Sequence, residues 1–135
     1  MALPFLDTNV LLRHLLQDEA EQSPRSTALL AKIESGEISV RIAHTVVFET
    51  VFTLQRQYRV PKGEIRDKVL ALLELRGIVL PGKRRFREVF DLYAGLNVSF
   101  AAAYHAVLMN RLALGSIISF DRGIDRLPGL DRIEP

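Results

Sequence analysis

Three acidic residues stand where a protein would place groups for phosphate chemistry. Asp7 ends the short apolar run Phe5-Leu6 and precedes Thr8-Asn9 and a helical stretch. Asp121 ends the run Ser116-Ile117-Ile118-Ser119-Phe120 and precedes Arg122-Gly123. An Asp at such a junction is also a good helix cap, worth about 1 kcal/mol, and capping alone accounts for either acid. Two acids at two strand ends are harder to assign to capping twice. Parallel strands bring such ends together, and converging carboxylates repel unless a cation or a proton joins them. Glu49 lies in Val46-Val47-Phe48-Glu49-Thr50-Val51-Phe52, with Val46 and Phe52 one helical turn away on either side. A carboxylate among apolar neighbours is costly to bury unless it is paired. A solvated edge position is one reading, and an ion pair, for instance with Arg56, is another. A Mg²⁺ ligand is the solution favoured here, because Mg²⁺ takes oxygen donors, commonly one or two carboxylates with water and substrate phosphate.

Other chemistries find little support. His14, His44 and His105 show no i, i+4 zinc spacing, and with no cysteine to assist them they read as structural. The glycines form neither a dinucleotide-binding nor a P-loop pattern. No serine has the context of a nucleophile elbow.

These acids need a scaffold, and the alternation of elements supplies one. Phe5-Leu6 reads as a strand, followed by a helix through Val10–Leu16. A second helix is expected over Ser26–Glu34, closed by Ser35-Gly36. Ile38–Ile42 alternates apolar and polar residues with the period of a strand. Thr45–Tyr58 carries Val47, Val51, Leu54 and Tyr58 on one helical face. Val60-Pro61 breaks that helix, and Pro61 opens another reaching about Leu75. Ile78–Leu80 reads as a strand, Phe86–Leu96 and Ser99–Leu114 as helices, Ser116–Phe120 as a strand, and Arg132-Ile133 as a last extended piece. Short apolar strands alternating with helices predict an α/β fold, a parallel sheet covered on both faces. In such folds the active site lies beyond the carboxyl ends of the strands, where Asp7 and Asp121 fall.

The 135 residues suit one domain, 1–135. About half are hydrophobic (48%) and a quarter charged (25%), enough for a core. No apolar run approaches the roughly 18–20 residues that cross a bilayer. The opening residues lack a basic segment and meet Asp7 at once, so they do not read as a secretory signal. A cytoplasmic location with no membrane partner is expected. The net charge of +2 says little by itself, although most of the basic residues are Arg, which suits bidentate phosphate contacts. Lys83-Arg84-Arg85-x-Arg87 is the densest basic run. A solvated helix start is its simpler reading, yet cations there oppose the helix dipole and suggest an anion nearby.

Taken together, these segments resemble a known family. Phe5-Leu6-Asp7-Thr8-Asn9-Val10-Leu11-Leu12-Arg13 is similar to the opening motif of PIN domains, in particular the toxin ribonucleases of the VapC type. Val46 to Leu54 resembles the second motif, in which a helix presents a metal-binding Glu. Val98 to Leu108 resembles the third, and Ile118 to Leu127 the fourth. Order and spacing hold over nearly the whole chain. The resemblance implies a three-layer α/β/α fold, Mg²⁺ or Mn²⁺, and hydrolysis of RNA phosphodiesters to 5′-phosphate and 3′-hydroxyl ends.

One position departs from the family. The third motif usually reads Ser-Phe-Ala-Asp-Ala-Tyr with the Asp a metal ligand. Here it reads Ser99-Phe100-Ala101-Ala102-Ala103-Tyr104, and Ala102 leaves that ligand position vacant. If Ser99 caps the helix, Ala102 falls at its third position, where an acid would suit the dipole. An engineered Asp→Ala replacement and a natural degenerate member both fit; the intact remainder of the site favours the first.

By resemblance, Asp7, Glu49 and Asp121 are the catalytic metal ligands, with Asp125 an outer candidate and Thr8, Asn9 and Ser119 supporting them. Arg13 and Arg122 are expected to contact RNA phosphates, with Lys83, Arg84, Arg85 and Arg87 extending that surface. The resemblance further implies a homodimer and a small antitoxin laid over the acidic groove near the early helices. The alternative is a catalytically degenerate PIN-fold module that binds RNA or protein.

Overall fold

The computed structural model describes residues 2–135. Helices dominate, and strands are short. In chain order the elements are α1 (Thr8–Leu16), α2 (Gln22–Ser35), β1 (Val40–Arg41), α3 (His44–Arg56), α4 (Lys62–Leu73), β2 (Ile78–Val79), a 3-10 turn (Lys83–Arg85), α5 (Phe86–Gly95), α6 (Phe100–Arg111), β3 (Ser116–Ile118), a second 3-10 turn (Arg122–Arg126) and β4 (Asp131–Ile133). The architecture is α/β, with short parallel strands flanked by helices in three-layer α/β/α manner.

Local chemistry sets most boundaries. α2 starts at Gln22, earlier than the expected Ser26, because Pro24 sits in the first turn, where its missing N–H costs nothing. Gly36 closes it in the left-handed region, φ +81°. Pro61 is the residue before α4, with φ −60° and extended ψ. Ser99 caps α6, its Oγ accepting the Ala102 N–H at 3.0 Å. α6 ends at Arg111 rather than Leu114, and Ala113 leaves it at φ +57°, a conformation unfavourable for a residue with a Cβ.

The strands fall into two parallel ladders. β1 pairs with β2, Val40 opposite Ile78 and Arg41 opposite Val79. Phe5 bridges Arg41 in parallel on the other side, where Leu6 N–H donates to Arg41 O and Arg41 N–H to Pro4 O, both at 2.9 Å. β3 pairs with β4, Ser116 opposite Asp131 and Ile118 opposite Ile133. The expected single sheet is therefore interrupted: among the described residues no backbone hydrogen bond joins the Phe5 segment to β3.

The core lies under the first ladder. Leu6, Val40, Ile42, Ile78 and Leu80 are buried against α1, α3 and α4 residues such as Leu11, Val47, Val51 and Ile65. A second packing centre joins Phe86, Phe90 and Tyr93 of α5 to Phe100 of α6, with the Phe90 and Phe100 ring centroids 4.9 Å apart. Tyr93 hydroxyl donates to Gln55 Oε1 at 2.6 Å, and burial pushes its phenol up to about 12. Gly77 is the tightest junction. Its N–H donates to Ile33 O and its carbonyl accepts from Val40, and a Cβ there would lie 2.2 Å from Ile38 O. Only glycine lets α2, β1 and β2 meet so closely. Among the described residues no helix is long and apolar enough to cross a membrane.

Candidate active site

Asp7 occupies the N-cap position of α1 with extended backbone, yet its side chain makes no capping hydrogen bond. Its carboxylate is exposed and free of the local duty that its position offers. The next residue, Thr8, is buried and donates from Oγ1 to Glu49 Oε1 at 2.5 Å. This bond ties the start of α1 to the middle of α3, so Asp7 and Glu49 belong to one region. Glu49 is exposed, as the solvated edge reading allows. Residues at i−3 and i+3 flank a helical side chain without covering it. The alternative ion pair is not formed either, since the Arg56 guanidinium lies over the Phe52 ring, 5.6 Å from its centroid.

Asp121 behaves differently. Its Oδ1 accepts the Gly123 N–H at 2.9 Å and caps the second 3-10 turn, while its own N–H donates to Ser119 Oγ at 3.0 Å. Ser119 therefore supports the Asp121 backbone rather than its carboxylate. Asp125 is engaged by Arg132, with Nε at 2.9 Å and Nη2 at 3.3 Å. These hydrogen bonds hold the Asp125 carboxyl below the usual carboxylate range, and Arg132 would have to release it before it could meet a cation. Arg132 also donates to Ser119 O and Glu134, so it organises the end of the second ladder.

Ala102 is buried, 4% exposed, with its methyl in the core. A carboxylate there would meet apolar walls, which makes it costly unless a cation joins it. The fold is thus less indifferent to an acid at this position than a helix end in solvent would be.

Asp7 and Glu49 are brought together through Thr8; Asp121 stands with the other ladder. Among the described residues no group of three His, Asp or Glu is close enough to hold a metal ion.

The basic residues also divide. Lys83 Nζ donates to Leu75 O at 2.8 Å and Ile78 O at 2.9 Å, closing the link from α4 to β2, and burial lowers its pKa. Arg87 forks onto Glu74, with contacts from 2.6 to 3.2 Å. Both ends of the run thus make structural contacts; Arg84 and Arg85 are exposed and make no ion pair among the described residues. Arg13 bonds Gln22 at 3.0 Å and lines the α1–α2 groove with Asn9 and Arg25. Arg122 is exposed beside Asp121.

An aromatic wall escaped the sequence reading. His44, Phe48, Phe52 and Tyr104 line one shallow groove with Glu49. His44 is fixed at both nitrogens, Nδ1 2.7 Å from Tyr104 Oη and Nε2 2.6 Å from Pro81 O. A carbonyl only accepts, so Nε2 carries a hydrogen, and in the neutral ring Nδ1 accepts from the tyrosine. The available signal was Phe48 and Phe52, one turn apart and bracketing Glu49.

No curated protein aligns significantly with the chain. The family model for the PIN domain matches residues 5–130, which takes in Asp7, Glu49 and Asp121 alike, and the chain belongs to the PIN domain family.

Proposed function

We propose that this chain is a metal-dependent endoribonuclease, the toxin of a VapC-type toxin–antitoxin pair, weakened because Ala102 stands where a metal-binding Asp is expected. PIN domains are usually nucleases, generally use Mg²⁺ or Mn²⁺, and act on RNA. The observation that carries the reading is Asp7, a carboxylate at a helix start that declines its cap and lies one residue from the Thr8–Glu49 bond. Asp121 is the third acid of the set. Asp7, Glu49 and Asp121 would hold the cation when it is bound, and it would supply an activated water and neutralise charge on the phosphate. The residues themselves offer anionic oxygens from Asp7 and Glu49, exposed guanidinium groups at Arg84, Arg85 and Arg122 for the RNA backbone, and an aromatic groove on which an unpaired base can stack. A homodimer and a protein antitoxin over the α1–α2 region complete the proposal.

A second reading has its own support. The vacant position at Ala102 and the lack of a three-acid cluster both suit a degenerate module that binds RNA or protein without cleaving. Mg²⁺-dependent cleavage of single-stranded RNA by this chain and by Ala102→Asp, with Glu49→Gln as control, separates the two. The nuclease reading expects Ala102→Asp to cut at least about 100-fold faster, in line with restoring a positioned catalytic group. Burial further implies that Ala102→Asp melts lower without metal and regains stability when Mn²⁺ is added. Equal cleavage in both forms would refute the missing-ligand reading. Cleavage in neither, with RNA still bound, would favour the binding module.

A further inference from the structure

We propose that the cavity between the start of α3, the Pro81-Gly82 turn, α5 and α6 takes one unpaired pyrimidine base of an RNA strand, with a phosphate of that strand held by Arg85 and Arg111. The proposal rests on the reading of the chain as an RNA-acting nuclease, and adds where one base goes and which kind fits.

The cavity measures about 90 Å³ and is half open to solvent. Its inner walls are apolar: Phe86, Val89 and Val107 are buried, and Leu108 is half-buried. Rings line one side. The His44 ring stands edge-on to its neighbours, its centroid 5.1 Å from that of Phe86 and 5.5 Å from that of Tyr104. The hydrogen bonds of His44 to Tyr104 Oη and Pro81 O hold this wall in place, so little side-chain freedom remains to be lost when a ligand enters. Arg85 and Arg111 complete the lining and are both exposed, which sets them at the mouth. Among the described residues neither guanidinium makes an ion pair, and no acid lines the cavity. Two unneutralised cations beside an apolar slot match a ligand with a flat ring at one end and an anion at the other. A ring alone would leave the cations unanswered, and a free phosphate would leave the slot empty.

Position ties this slot to a strand of RNA. His44 and Tyr104 also line the groove that holds Phe48, Phe52 and Glu49, so the cavity and the groove share a wall. A strand that crosses Glu49 therefore passes the cavity mouth. Unpaired RNA bases splay out readily and stack on aromatic rings and guanidinium planes. Arginine suits the phosphate that follows, because its planar fork meets two oxygens at once. Size selects the base. An enclosed cavity of about 150 Å³ holds a benzene ring. The smaller, half-open cavity here admits one six-membered ring with its outer edge in the mouth. A purine would leave its second ring outside, away from Phe86, Val89 and Val107.

The test uses a uridine octamer, an adenosine octamer and free uridine 5′-monophosphate, all in EDTA so that binding is read without cleavage. The uridine octamer should bind about ten-fold more tightly than the adenosine octamer, the worth of one stacked base. It should also shift the methyl resonances of Val89, Val107 and Leu108 in the unmodified chain, while the adenosine octamer leaves them in place. Leu108→Phe fills the slot and should weaken the uridine octamer about ten-fold with the adenosine octamer little changed. Arg111→Ala should weaken both octamers and lower the salt slope by about 0.7, one phosphate contact. A uridine octamer that binds without moving those methyls overturns the cavity and leaves the RNA reading standing. So does equal affinity for the two octamers, or parental affinity in a natively folded Leu108→Phe. Binding of neither octamer removes the RNA reading and the cavity's strand with it. Uridine 5′-monophosphate that shifts the methyls at lower concentration than the octamer would give the cavity to a free nucleotide and overturn its place on an RNA path.

Discussion

The two parallel ladders are built alike and end alike, each with an aspartate just past a short strand, yet they behave as opposites. The ladder of β1 and β2 is buried under helices, and the acid beside it, Asp7, is free of local hydrogen bonds. The ladder of β3 and β4 is largely uncovered, and its acid, Asp121, caps the turn that follows. Where packing holds a segment, its polar groups are released from structural work; where packing is thin, side chains such as Asp121 and Arg132 do the holding. The comparison teaches that an acid at a strand end becomes available for chemistry only after something else fixes the backbone beneath it.

The strongest way to break this contrast is a matched pair of glycine substitutions. Gly77→Ala drives a methyl into Ile38 O and should cost about 3 kcal/mol or more. Gly129→Ala, at φ +78° in open space beside the second ladder, should cost about 1 kcal/mol. Equal losses in urea unfolding would show that the first ladder is no more tightly built than the second.

The basic run gives a smaller contrast. Lys83→Ala should destabilise by about 2 kcal/mol, since two carbonyls lose a charged donor. Arg84→Ala/Arg85→Ala should leave the melting temperature nearly unchanged and reduce the salt slope of single-stranded RNA binding by about 1.4. A salt slope that responds to Lys83 and not to the arginines would reverse the division.

Smaller still is the difference between the acids. Asp121→Ala should lose about 1 kcal/mol with its cap, whereas Asp7→Ala should stay within about 0.5 kcal/mol of the parent. Thermal melts of both variants check it; an Asp7 loss as large as that of Asp121 would mean that Asp7 is also structural.

The least effect belongs to pH. Asp125 has a lower pKa folded than unfolded because Arg132 hydrogen-bonds its charged form. Its contribution is therefore present above the unfolded carboxylate value and is lost as pH falls through the lowered one. Amide exchange at Asp131–Ile133 should quicken over that acidic window before the first ladder responds, and Arg132→Gln should abolish the difference.

Much of this was legible in the sequence because the relevant signals are local. Alternation in Ile38–Ile42 marked the strand that narrows to Val40–Arg41, the break at Val60-Pro61 separated α3 from α4, and Ser99 three residues before Ala102 marked the α6 cap. Asp7 and Asp121 were both readable as strand-end acids, but identical local patterns concealed opposite duties. The split of the sheet was not readable, since period-two alternation tells which face is buried and not which neighbour pairs. For Glu49 the sequence left a solvated edge and a paired site both open, because apolar residues one turn away flank a side chain without enclosing it. The structural contacts of Lys83 were not legible, because a lysine's distant carbonyl partners, Leu75 and Ile78, leave no mark within a charge run.

The distance along the chain between the two open edges has a consequence for synthesis. The Phe5 segment, β1 and β2 are all made by residue 79, so the first ladder can close while most of α5 and α6 is still unmade. β3 is translated roughly 110 residues after Phe5, a delay of about 5–20 s at the usual pace of elongation. Throughout that interval each nascent chain displays an unfilled edge, and ribosomes spaced along one message carry many such edges close together. An edge left open that long can meet the edges of neighbouring chains before its own chain closes, so the density of ribosomes on the message bears on how cleanly the product folds.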